Sequence, residues 1–577
     1  MRPSAAVVWL VPFLLVVVPC RADEFRRHVA VSQERHASEA GRDVMRAGGN
    51  AVDAAIATAF ALAVTHPAAG NIGGGGFIVA YLADRHDVLT IDFREAAPLA
   101  ATERMYVDTQ GALLPGHRTG PRAAGVPGTV RGLGLAHERW GTQPWATLVA
   151  PAVKLARDGF PISDTLARSL NAQLFRNADP TDVPEDLGPR AHRLGDFPAS
   201  VKAFQKADGT PWKAGDRLVQ PDLAATLERI ALVGPDEFYR GETAQMIAAD
   251  SQSNGGLITL EDLARYQAKV RAPVHGTYRG KDIYGMGPTA SGGIVTLLAL
   301  NILERFDLRA SGPGSTETLH RVAEASKRAF FVRATAIADP DFVPVPVEKL
   351  VSKAYANELA ATMTDQATPS AKLAPFPIER PEGNDTTHLS TLDGSGNAVA
   401  LTYTLEEGYG AKSVVPGAGF LLNNEMGDFN LMPGKTTTRG TIGTPANLIA
   451  PGKRMLSSQA PTIVLEAGKV RVVTGSPGGR TIPSTVLWVL LHTLEFQLAP
   501  RAAVDAPRAH HPWFPDALVL EGTSWEETTK QALRDRGHVV RGVSIQGDAN
   551  TIIVDPATGL IHGLADRRRK TETASGD

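Results

Sequence analysis

The sequence has 577 residues, of which 43% are hydrophobic and 21% are charged, a balance typical of a globular protein with a sizeable core. Its 59 basic and 61 acidic residues leave a net charge of −2, which argues against nucleic acid or a membrane surface as the main partner. The length alone suggests about three or four domains, but no Ser/Gly linker, low-complexity tract or internal repeat divides the chain.

The N-terminus predicts a secretory signal. An apolar run at 5–19 is shorter than the ~20 residues that a membrane-spanning helix needs. We expect cleavage after Ala22, so that segment 1–22 is removed together with Cys20, the only cysteine. Lipid attachment at Cys20 is the alternative, which Pro19 disfavours. The mature chain is therefore expected to be soluble and exported, periplasmic or secreted, without disulfides or stable membrane insertion.

The first part of the mature chain is predicted to place helices before a glycine-rich turn and strands after it. Residues 39–46 predict a helix closed by a glycine pair, and Asn50 caps a second, alanine-rich helix that ends near Ala63. The turn at 66–76 carries four consecutive glycines but no following Lys-Ser or Lys-Thr. We interpret it as a close-packed turn rather than a phosphate loop. The strands predicted after it are 77–81 and 88–93.

The middle of the chain, 122–308, is predicted to be mainly helical, and the part after Thr386 to be rich in strands. Mixed runs of this kind favour antiparallel sheets flanked by helices, an α+β arrangement, over a strict βαβ repeat. The helices predicted in the middle of the chain include 128–140, 145–158, 221–233 and 293–306.

A predicted β-hairpin carries the most informative residues. It begins at Thr386-Thr387, turns near Asp393 and returns through Thr404, after an exposed loop at 377–385. If the chain were cut before Thr386, that residue would carry a hydroxyl and a free α-amine, a nucleophile with its own base. The unperturbed pKa of an α-amine is ~7.7–8, so it can accept a proton near neutral pH. A threonine pair alone more often serves as ordinary strand residues.

Four further clusters offer groups for an ionic substrate. Arg94 lies beside acids at the end of a strand, and Glu425 and Asp428 are carboxylates three residues apart. The serine pair 457–458 supplies hydroxyls, and the glycine-rich segment 475–479 ends another strand with backbone N–H groups that suit an oxyanion hole. Taken singly, each cluster is more often a cap, a turn or a surface ion pair than a site.

No cofactor or metal is predicted. His388, His510 and His511 are not spaced as a ligand set, and structural histidines are the preferred interpretation. A Ser-His-Asp triad has no Gly-x-Ser-x-Gly elbow on which to form.

Together, and in this order, the motifs resemble those of the γ-glutamyltransferase family (γ-glutamyltranspeptidases, or glutathione hydrolases), N-terminal-nucleophile hydrolases that cleave themselves. The resemblance covers nearly the whole mature chain. It implies a four-layer αββα sandwich and self-cleavage after Asp385. The products would be a large subunit, 23–385, and a small catalytic subunit, 386–577, in one core. The segments that carry the resemblance are 48–55, 73–77, 92–95, 126–129, 386–388, 422–429, 456–458 and 475–479.

The resemblance implies the reaction and its machinery. The γ-glutamyl group of glutathione or a related compound is passed to water, or to an amino acid or dipeptide. Thr386 is the implied nucleophile, with Thr404 supporting both its attack and the self-cleavage. Gly478 and Gly479 would donate N–H groups to the oxyanion, a contribution of roughly 3–4 kcal/mol per donor in other enzymes.

The resemblance also implies how the donor's α-amino-acid head is held. A carboxylate needs a cation and hydroxyl donors, while an ammonium needs carboxylates. Arg94, Ser457 and Ser458 are expected to bind the α-carboxylate. Glu425 and Asp428 are expected to bind the α-ammonium.

Three departures from the family pattern qualify these expectations. Glu406 stands where many members carry an asparagine, and we expect it to contact the ammonium. The segment 430–455 has the length of the family's lid loop, but 436–439 offers no aromatic gate. The acceptor site has no recognisable signature, so acceptor preference stays open.

Two alternatives remain from the sequence. One is an acylase of the same fold, such as a glutaryl-cephalosporin acylase, whose acyl group has no ammonium for Glu425 and Asp428 to bind. The other is a secreted binding protein that keeps the fold without the cut.

Overall fold

The structure is a computed structural model that describes residues 23–114, 116–176, 192–373, 386–437, 441–522, 525–569 and 573–577. The predicted signal, 1–22, and the predicted loop, 377–385, lie outside these ranges, as do positions 438 and 439 of the lid segment. Within the described ranges we find no helix with the length and hydrophobicity that crossing a bilayer requires.

The described ranges contain nineteen strands. In chain order they are β1 Asp23–Phe25, β2 Val29–Val31, β3 Gly75–Leu82, β4 Asp87–Asp92, β5 Phe160–Pro161, β6 Arg217–Leu218, β7 Lys269–Arg271, β8 Val274–Tyr278, β9 Lys281–Gly285, β10 Thr387–Leu392, β11 Ala398–Thr404, β12 Thr462–Glu466, β13 Lys469–Thr474, β14 Ala509–His510, β15 Leu518–Glu521, β16 Val540–Val543, β17 Thr551–Val554, β18 Ile561–Leu564 and β19 Ser575–Gly576.

The same ranges contain eighteen α-helices. They are α1 Arg35–Arg46, α2 Ala51–Thr65, α3 Thr129–Trp140, α4 Trp145–Asp158, α5 Asp164–Leu174, α6 Pro198–Phe204, α7 Pro221–Val233, α8 Asp236–Arg240, α9 Glu242–Ser253, α10 Leu260–Arg265, α11 Gly292–Leu303, α12 Leu308–Ser311, α13 Thr316–Ala336, α14 Val347–Leu350, α15 Lys353–Ala361, α16 Ile482–Leu490, α17 Pro500–Asp505 and α18 Glu527–Asp535.

Two seven-stranded antiparallel sheets form the middle of the molecule. Sheet I has the strand order β19-β2-β10-β11-β3-β4-β7, and sheet II the order β1-β18-β17-β13-β12-β9-β8. Their facing sides bury a shared apolar layer, to which sheet I contributes Phe77 and Val79 and sheet II contributes Ile463 and Val473. Side chains alternate between the two faces of a strand, so the residues between these positions point to the outer faces.

Helices cover both outer faces of the paired sheets. On sheet I, Ile78 of β3 shares an apolar cluster with Phe60 of α2. On sheet II, Val464 of β12 shares another cluster with Leu298 of α11 and Val489 of α16. The layers therefore run helix, sheet, sheet, helix, which confirms the predicted αββα sandwich. Burial on both faces also explains why β3 is an uninterrupted apolar run.

Several sequence predictions are confirmed in detail. The Asn50 side chain accepts hydrogen bonds of 2.9 Å from the N–H groups of Val52 and Asp53, which caps α2 as predicted. The glycine-rich turn is close-packed, because a Cβ on Gly74 would lie 2.0 Å from the Thr404 carbonyl oxygen. Helices α4 and α7 have the predicted bounds, while α3 and α11 differ from prediction by one to three residues at an end.

The predicted helical middle of the chain is interrupted by strands that the prediction missed. Strands β7, β8 and β9 lie between 269 and 285 and form one end of each sheet. In β8, buried Val274 and Tyr278 flank more exposed positions, the pattern of a strand with one covered face. The sequence at 274–278 carries this alternation over only five residues, which is too short to outweigh the helices around it.

Strands from before and after residue 386 are interleaved in both sheets. In sheet I, β2 lies between β19 and β10, and in sheet II, β1 pairs with β18. The carbonyl oxygen of Asp577 accepts backbone hydrogen bonds of 2.8 and 2.7 Å from Arg26 and Arg27. Residues 23–373 and the chain from 386 onwards therefore share both sheets.

Candidate active site

The register of sheet I aligns the two candidate threonines. Thr387 of β10 pairs with Tyr403 of β11, so Thr386, one residue earlier, lies opposite Thr404. Thr404 in turn pairs with Gly75 at the start of β3. Thr386 and Thr404 are buried, with 7% and 2% of their surface exposed. The hairpin predicted from the sequence therefore sets the candidate nucleophile beside Thr404, the threonine that is expected to support it.

The same row of sheet I continues to Arg94. Gly76 of β3 and Phe93 exchange backbone hydrogen bonds, which brings Arg94 alongside Gly75. A Cβ on Gly75 would lie 2.4 Å from the Phe93 carbonyl oxygen and 2.8 Å from Cδ of Glu95. Glycine at this position is what allows the end of β4 to approach so closely.

Sheet II brings the serine pair and the glycine segment to one edge. Strands β12 and β13 are antiparallel, and Thr462 at the start of β12 pairs with Thr474 at the end of β13. The chain entering β12 through 457–459 therefore runs beside the chain leaving β13 through 475–479. Antiparallel pairing is what joins two motifs that are separate in the sequence.

A small cavity of about 30 Å³ lies where these elements meet. Nine of the ten predicted site residues line it: Arg94, Thr386, Thr404, Glu406, Glu425, Asp428, Ser457, Ser458 and Gly479. The tenth, Gly478, directly precedes Gly479 and is not among the lining residues. The lining residues that the sequence prediction missed are Gln459, Arg480 and Ile482.

Arg94 is the centre of charge in the cavity. It is fully buried, and its guanidinium Nη2 lies 2.6 Å from Oε2 of Glu425 and also pairs with Asp428. Nη1 lies 3.4 Å from Oε2 of Glu95, the next residue. Burial lowers the pKa of Arg94, but the three surrounding carboxylates outweigh it and raise the pKa above its ordinary range. Arg94 is therefore a permanent cation.

The two glutamates beside Arg94, Glu425 and Glu95, hold their protons unusually tightly. Burial raises the pKa of Glu425 well above its ordinary value, although Arg94 lowers it in part. Burial likewise raises the pKa of Glu95 to about 7, again against the attraction of Arg94. Oε1 of each of these two glutamates is buried and makes no hydrogen bond within the described structure. One cation is shared by several buried acids, so the cavity suits a ligand that brings a second positive charge.

The backbone at Gly478 and Gly479 has a conformation that favours glycine. Their φ angles are +127° and +52°, and a Cβ on Gly478 would lie 2.5 Å from Oγ1 of Thr481. The Gly478 carbonyl accepts hydrogen bonds from the Thr481 N–H at 2.9 Å and hydroxyl at 2.8 Å. In a trans peptide the N–H points opposite to the carbonyl, so this contact directs the Gly479 N–H away from Thr481. Helix α16 begins just after this turn, and its N-terminus favours negative charge.

The serine pair is fixed by backbone contacts. The Ser457 N–H donates to the Thr289 carbonyl at 3.1 Å, and the Ser457 carbonyl accepts from the N–H and hydroxyl of Ser291 at 2.8 and 2.6 Å. These contacts hold 457–458 against the segment that leads into α11. The hydroxyls consequently start from a rigid backbone.

Asn447 holds the backbone at Asp428, and no sequence signal marks it. Its Nδ2 donates to the Asp428 carbonyl at 2.7 Å, while its Oδ1 accepts from the Leu456 N–H at 2.9 Å. Its own carbonyl accepts from the Asn430 N–H at 2.9 Å. Asn447 thereby ties the predicted lid segment to both Asp428 and the segment just before the serines.

Glu406 lines the cavity with an unusual backbone. Its φ is +81°, a region that costs a residue with a side chain about 1–3 kcal/mol. Its N–H donates to Oγ1 of Thr404 at 2.8 Å. This bond fixes the turn that follows β11 and links Glu406 to Thr404, which lies opposite Thr386.

We find no cluster of three or more His, Cys, Asp or Glu side chains arranged to hold a metal in the part of the chain that the structure describes. His388 instead bonds Oγ1 of Thr402 at 2.8 Å and Oγ of Ser390 at 3.0 Å. Burial lowers the pKa of His388 to about 3, so the imidazole is neutral. This confirms the predicted structural role of His388.

Comparison with known proteins places these features in one family. The family model described as Gamma-glutamyltranspeptidase matches residues 37–576. The glutathione hydrolase proenzyme of Escherichia coli is 42% identical over 562 residues, covering 97% of this chain and 93% of that protein. The crystal structure of Helicobacter pylori gamma-glutamyltranspeptidase is 44% identical with a TM-score of 0.56, covering 60% of this chain and 95% of that chain. The crystal structure of cephalosporin acylase from Bacillus halodurans is 27% identical with a TM-score of 0.81, covering 100% and 98%.

Proposed function

The chain belongs to the gamma-glutamyltranspeptidase family, and we propose that Thr386, freed by self-cleavage after Asp385, is the nucleophile that attacks the γ-glutamyl amide of glutathione and related compounds. In the self-cleavage, the Thr386 hydroxyl attacks the preceding carbonyl and its ester is then hydrolysed, which leaves a free α-amine. Subunits 23–385 and 386–577 result and stay together through the interleaved sheets. Thr404, opposite Thr386, supports both steps.

The donor's head group is held by the charges that meet at Arg94. Arg94 and the hydroxyls of Ser457 and Ser458 bind the α-carboxylate. The carboxylates of Glu425, Asp428 and Glu406 bind the α-ammonium. The ammonium supplies the second positive charge that this group of acids accommodates.

Acyl transfer proceeds in two steps from this bound state. The α-amine of Thr386 takes the hydroxyl proton as the oxygen attacks the γ-carbonyl, and the N–H groups of Gly478 and Gly479 stabilise the oxyanion. Collapse of the intermediate passes that proton to the leaving amine, for example Cys-Gly from glutathione. Water or an amino acid then attacks the γ-glutamyl ester by the reverse of these proton movements.

The observation that carries this proposal is the shared cavity. Nine residues named from separate sequence motifs line one cavity. Together they offer a nucleophile, an oxyanion donor, a cation and a set of carboxylates. Those are the groups that a γ-glutamyl donor requires.

The experiment combines processing with product analysis. We expect purified protein to show two bands on a denaturing gel and to convert glutathione and glycylglycine into glutamate and γ-glutamyl-glycylglycine. Thr386→Ala should remain one inactive chain, while Thr386→Ser, which keeps a hydroxyl and an amine, should be processed. Two bands and full activity from Thr386→Ala would refute the assignment.

A cephalosporin-acylase activity is the second candidate, favoured by the TM-score of 0.81 to a structure of that kind. Its glutaryl group has no ammonium for Glu425 and Asp428 to bind. Comparing γ-glutamyl-p-nitroanilide with glutaryl-p-nitroanilide separates the two activities. We expect the γ-glutamyl donor to be preferred.

We also propose export with removal of segment 1–22, so that the mature chain acts in the periplasm or outside the cell. The apolar run at 5–19 supports this proposal. Mass spectrometry of the exported protein should give two masses, corresponding to 23–385 and 386–577.

A further inference from the structure

Gln459 is a polar residue of the cavity with no assigned role. It directly follows the serine pair, lines the cavity and is 1% exposed. Both polar atoms of its side chain, Oε1 and Nε2, are buried and make no hydrogen bond within the described structure. A buried carboxamide without partners destabilises a fold, whereas an apolar side chain of the same length would not. The position therefore points to a partner that the chain itself does not supply.

The backbone of Gln459 is fixed, which limits where its side chain can lie. The Gln459 N–H donates to Oγ of Ser457 at 3.2 Å. Its carbonyl oxygen packs against Gly292 at the start of α11, where an added Cβ would lie only 2.4 Å away. The carboxamide is therefore presented from a rigid segment at the same wall as the serines.

We propose that Gln459 is a substrate-binding residue whose carboxamide contacts the α-amino-acid head of the donor. Nε2 donates to the α-carboxylate beside Ser458, and Oε1 accepts from the α-ammonium. A neutral carboxamide offers one donor and one acceptor side by side, which matches a head group whose anion and cation share one carbon. The inference rests on the γ-glutamyl activity proposed above and adds a residue that selects for the intact zwitterion.

The test replaces the carboxamide and keeps its length. We expect Gln459→Met to raise KM for γ-glutamyl-p-nitroanilide about tenfold or more, the loss of one hydrogen bond to a charged group, with kcat within about twofold. Gln459→Glu should raise KM at least as much, since a carboxylate repels the α-carboxylate. The inhibition constant of L-glutamate should weaken in Gln459→Met in parallel, while that of glutarate, which lacks the ammonium, should change less.

A matched control is available in Gln173 of α5. It is 5% exposed, its Oε1 has no hydrogen-bond partner in the described structure, and it does not line the cavity. Gln173→Met should leave KM unchanged. If Gln459→Met is not processed into two bands, the KM of Gln459→Leu and the inhibition of Gln459→Glu by L-glutamate test the role of Gln459 instead.

The outcomes separate this inference from the proposed function. KM and L-glutamate inhibition within twofold of wild type in a processed, active Gln459 variant would overturn the role of Gln459 and leave the γ-glutamyl activity standing. A wild-type protein that releases no p-nitroaniline from γ-glutamyl-p-nitroanilide would overturn the proposed function, and this inference with it.

Discussion

Replacing Asp428 with asparagine removes one negative charge from the cavity and keeps the shape of the side chain. Asp428 pairs with Arg94, and its side chain is 21% exposed. At 4 Å and an effective dielectric constant of 20, a unit charge pair is worth about 4 kcal/mol before other effects. Competition from Arg94 and partial exposure reduce this, and about 2 kcal/mol remains as the expected contribution to binding the donor's ammonium.

A loss of about 2 kcal/mol corresponds to a KM increase of about 30-fold for γ-glutamyl-p-nitroanilide. Glu425 and Glu95 still contact Arg94 in the variant, so we expect processing to be normal and kcat to stay within about threefold. Glutaryl-p-nitroanilide, which has no ammonium, is the control and should lose far less. A large fall in kcat with unchanged KM would refute the ammonium-binding role.

Three further predictions follow from the pKa shifts and the backbone. Because burial raises the pKa of Glu95 to about 7, this carboxylate beside Arg94 takes up a proton as the pH falls from 8 to 6. L-glutamate inhibition should therefore weaken over that range, and stronger inhibition at pH 6 would contradict the reasoning. Gly478→Ala should lower kcat by about 10²-fold with little change in KM, because a Cβ there meets Thr481 and displaces the oxyanion donors; steady-state kinetics with kcat unchanged would refute it. Burial raises the pKa of Glu324, but the neighbouring Lys and Arg side chains and hydrogen bonds outweigh it and lower the pKa to about 2. Glu324→Gln should thus lower the free energy of unfolding by about 2–3 kcal/mol at pH 7. This deficit should shrink below about pH 4, because the wild-type glutamate then becomes protonated and loses its stabilising charge. Urea denaturation at pH 7 and pH 3 measures both values.

The sequence predicted the site better than it predicted the sheets. Thr386 and Thr404 belong to a hairpin whose local alternation already implies that its two ends meet. Arg94 and Ser457 reach the same cavity only through β3 and β12, pairings that link distant parts of the chain. Their meeting was predictable from the family resemblance but not from spacing.

What the sequence could not provide depends on three-dimensional environment. The raised pKa of Glu425 follows from its burial, which outweighs the opposing effect of Arg94. Asn447 contacts Asp428 and Leu456, but no motif in the sequence around it marks these contacts. Gln459 follows the serine pair in the sequence, but nothing in the sequence suggests a function for it. Only its buried carboxamide without a hydrogen-bond partner in the described structure does so. Strand β8 was missed because five alternating residues carry too little periodicity to stand out.

The contact between Asp577 and Arg26 has a consequence for circular permutation. Asp577 and β1 lie close together, and only the three residues from Asp23 separate Arg26 from the predicted start of the mature chain, a span of about 10 Å when extended. A short flexible linker from Asp577 to Asp23 should therefore be tolerated, with the new N-terminus opened at Thr386. After removal of the initiator methionine, such a permutant would carry the Thr386 amine from synthesis. Acyl transfer by Thr386 could then be measured in a protein that never requires self-cleavage.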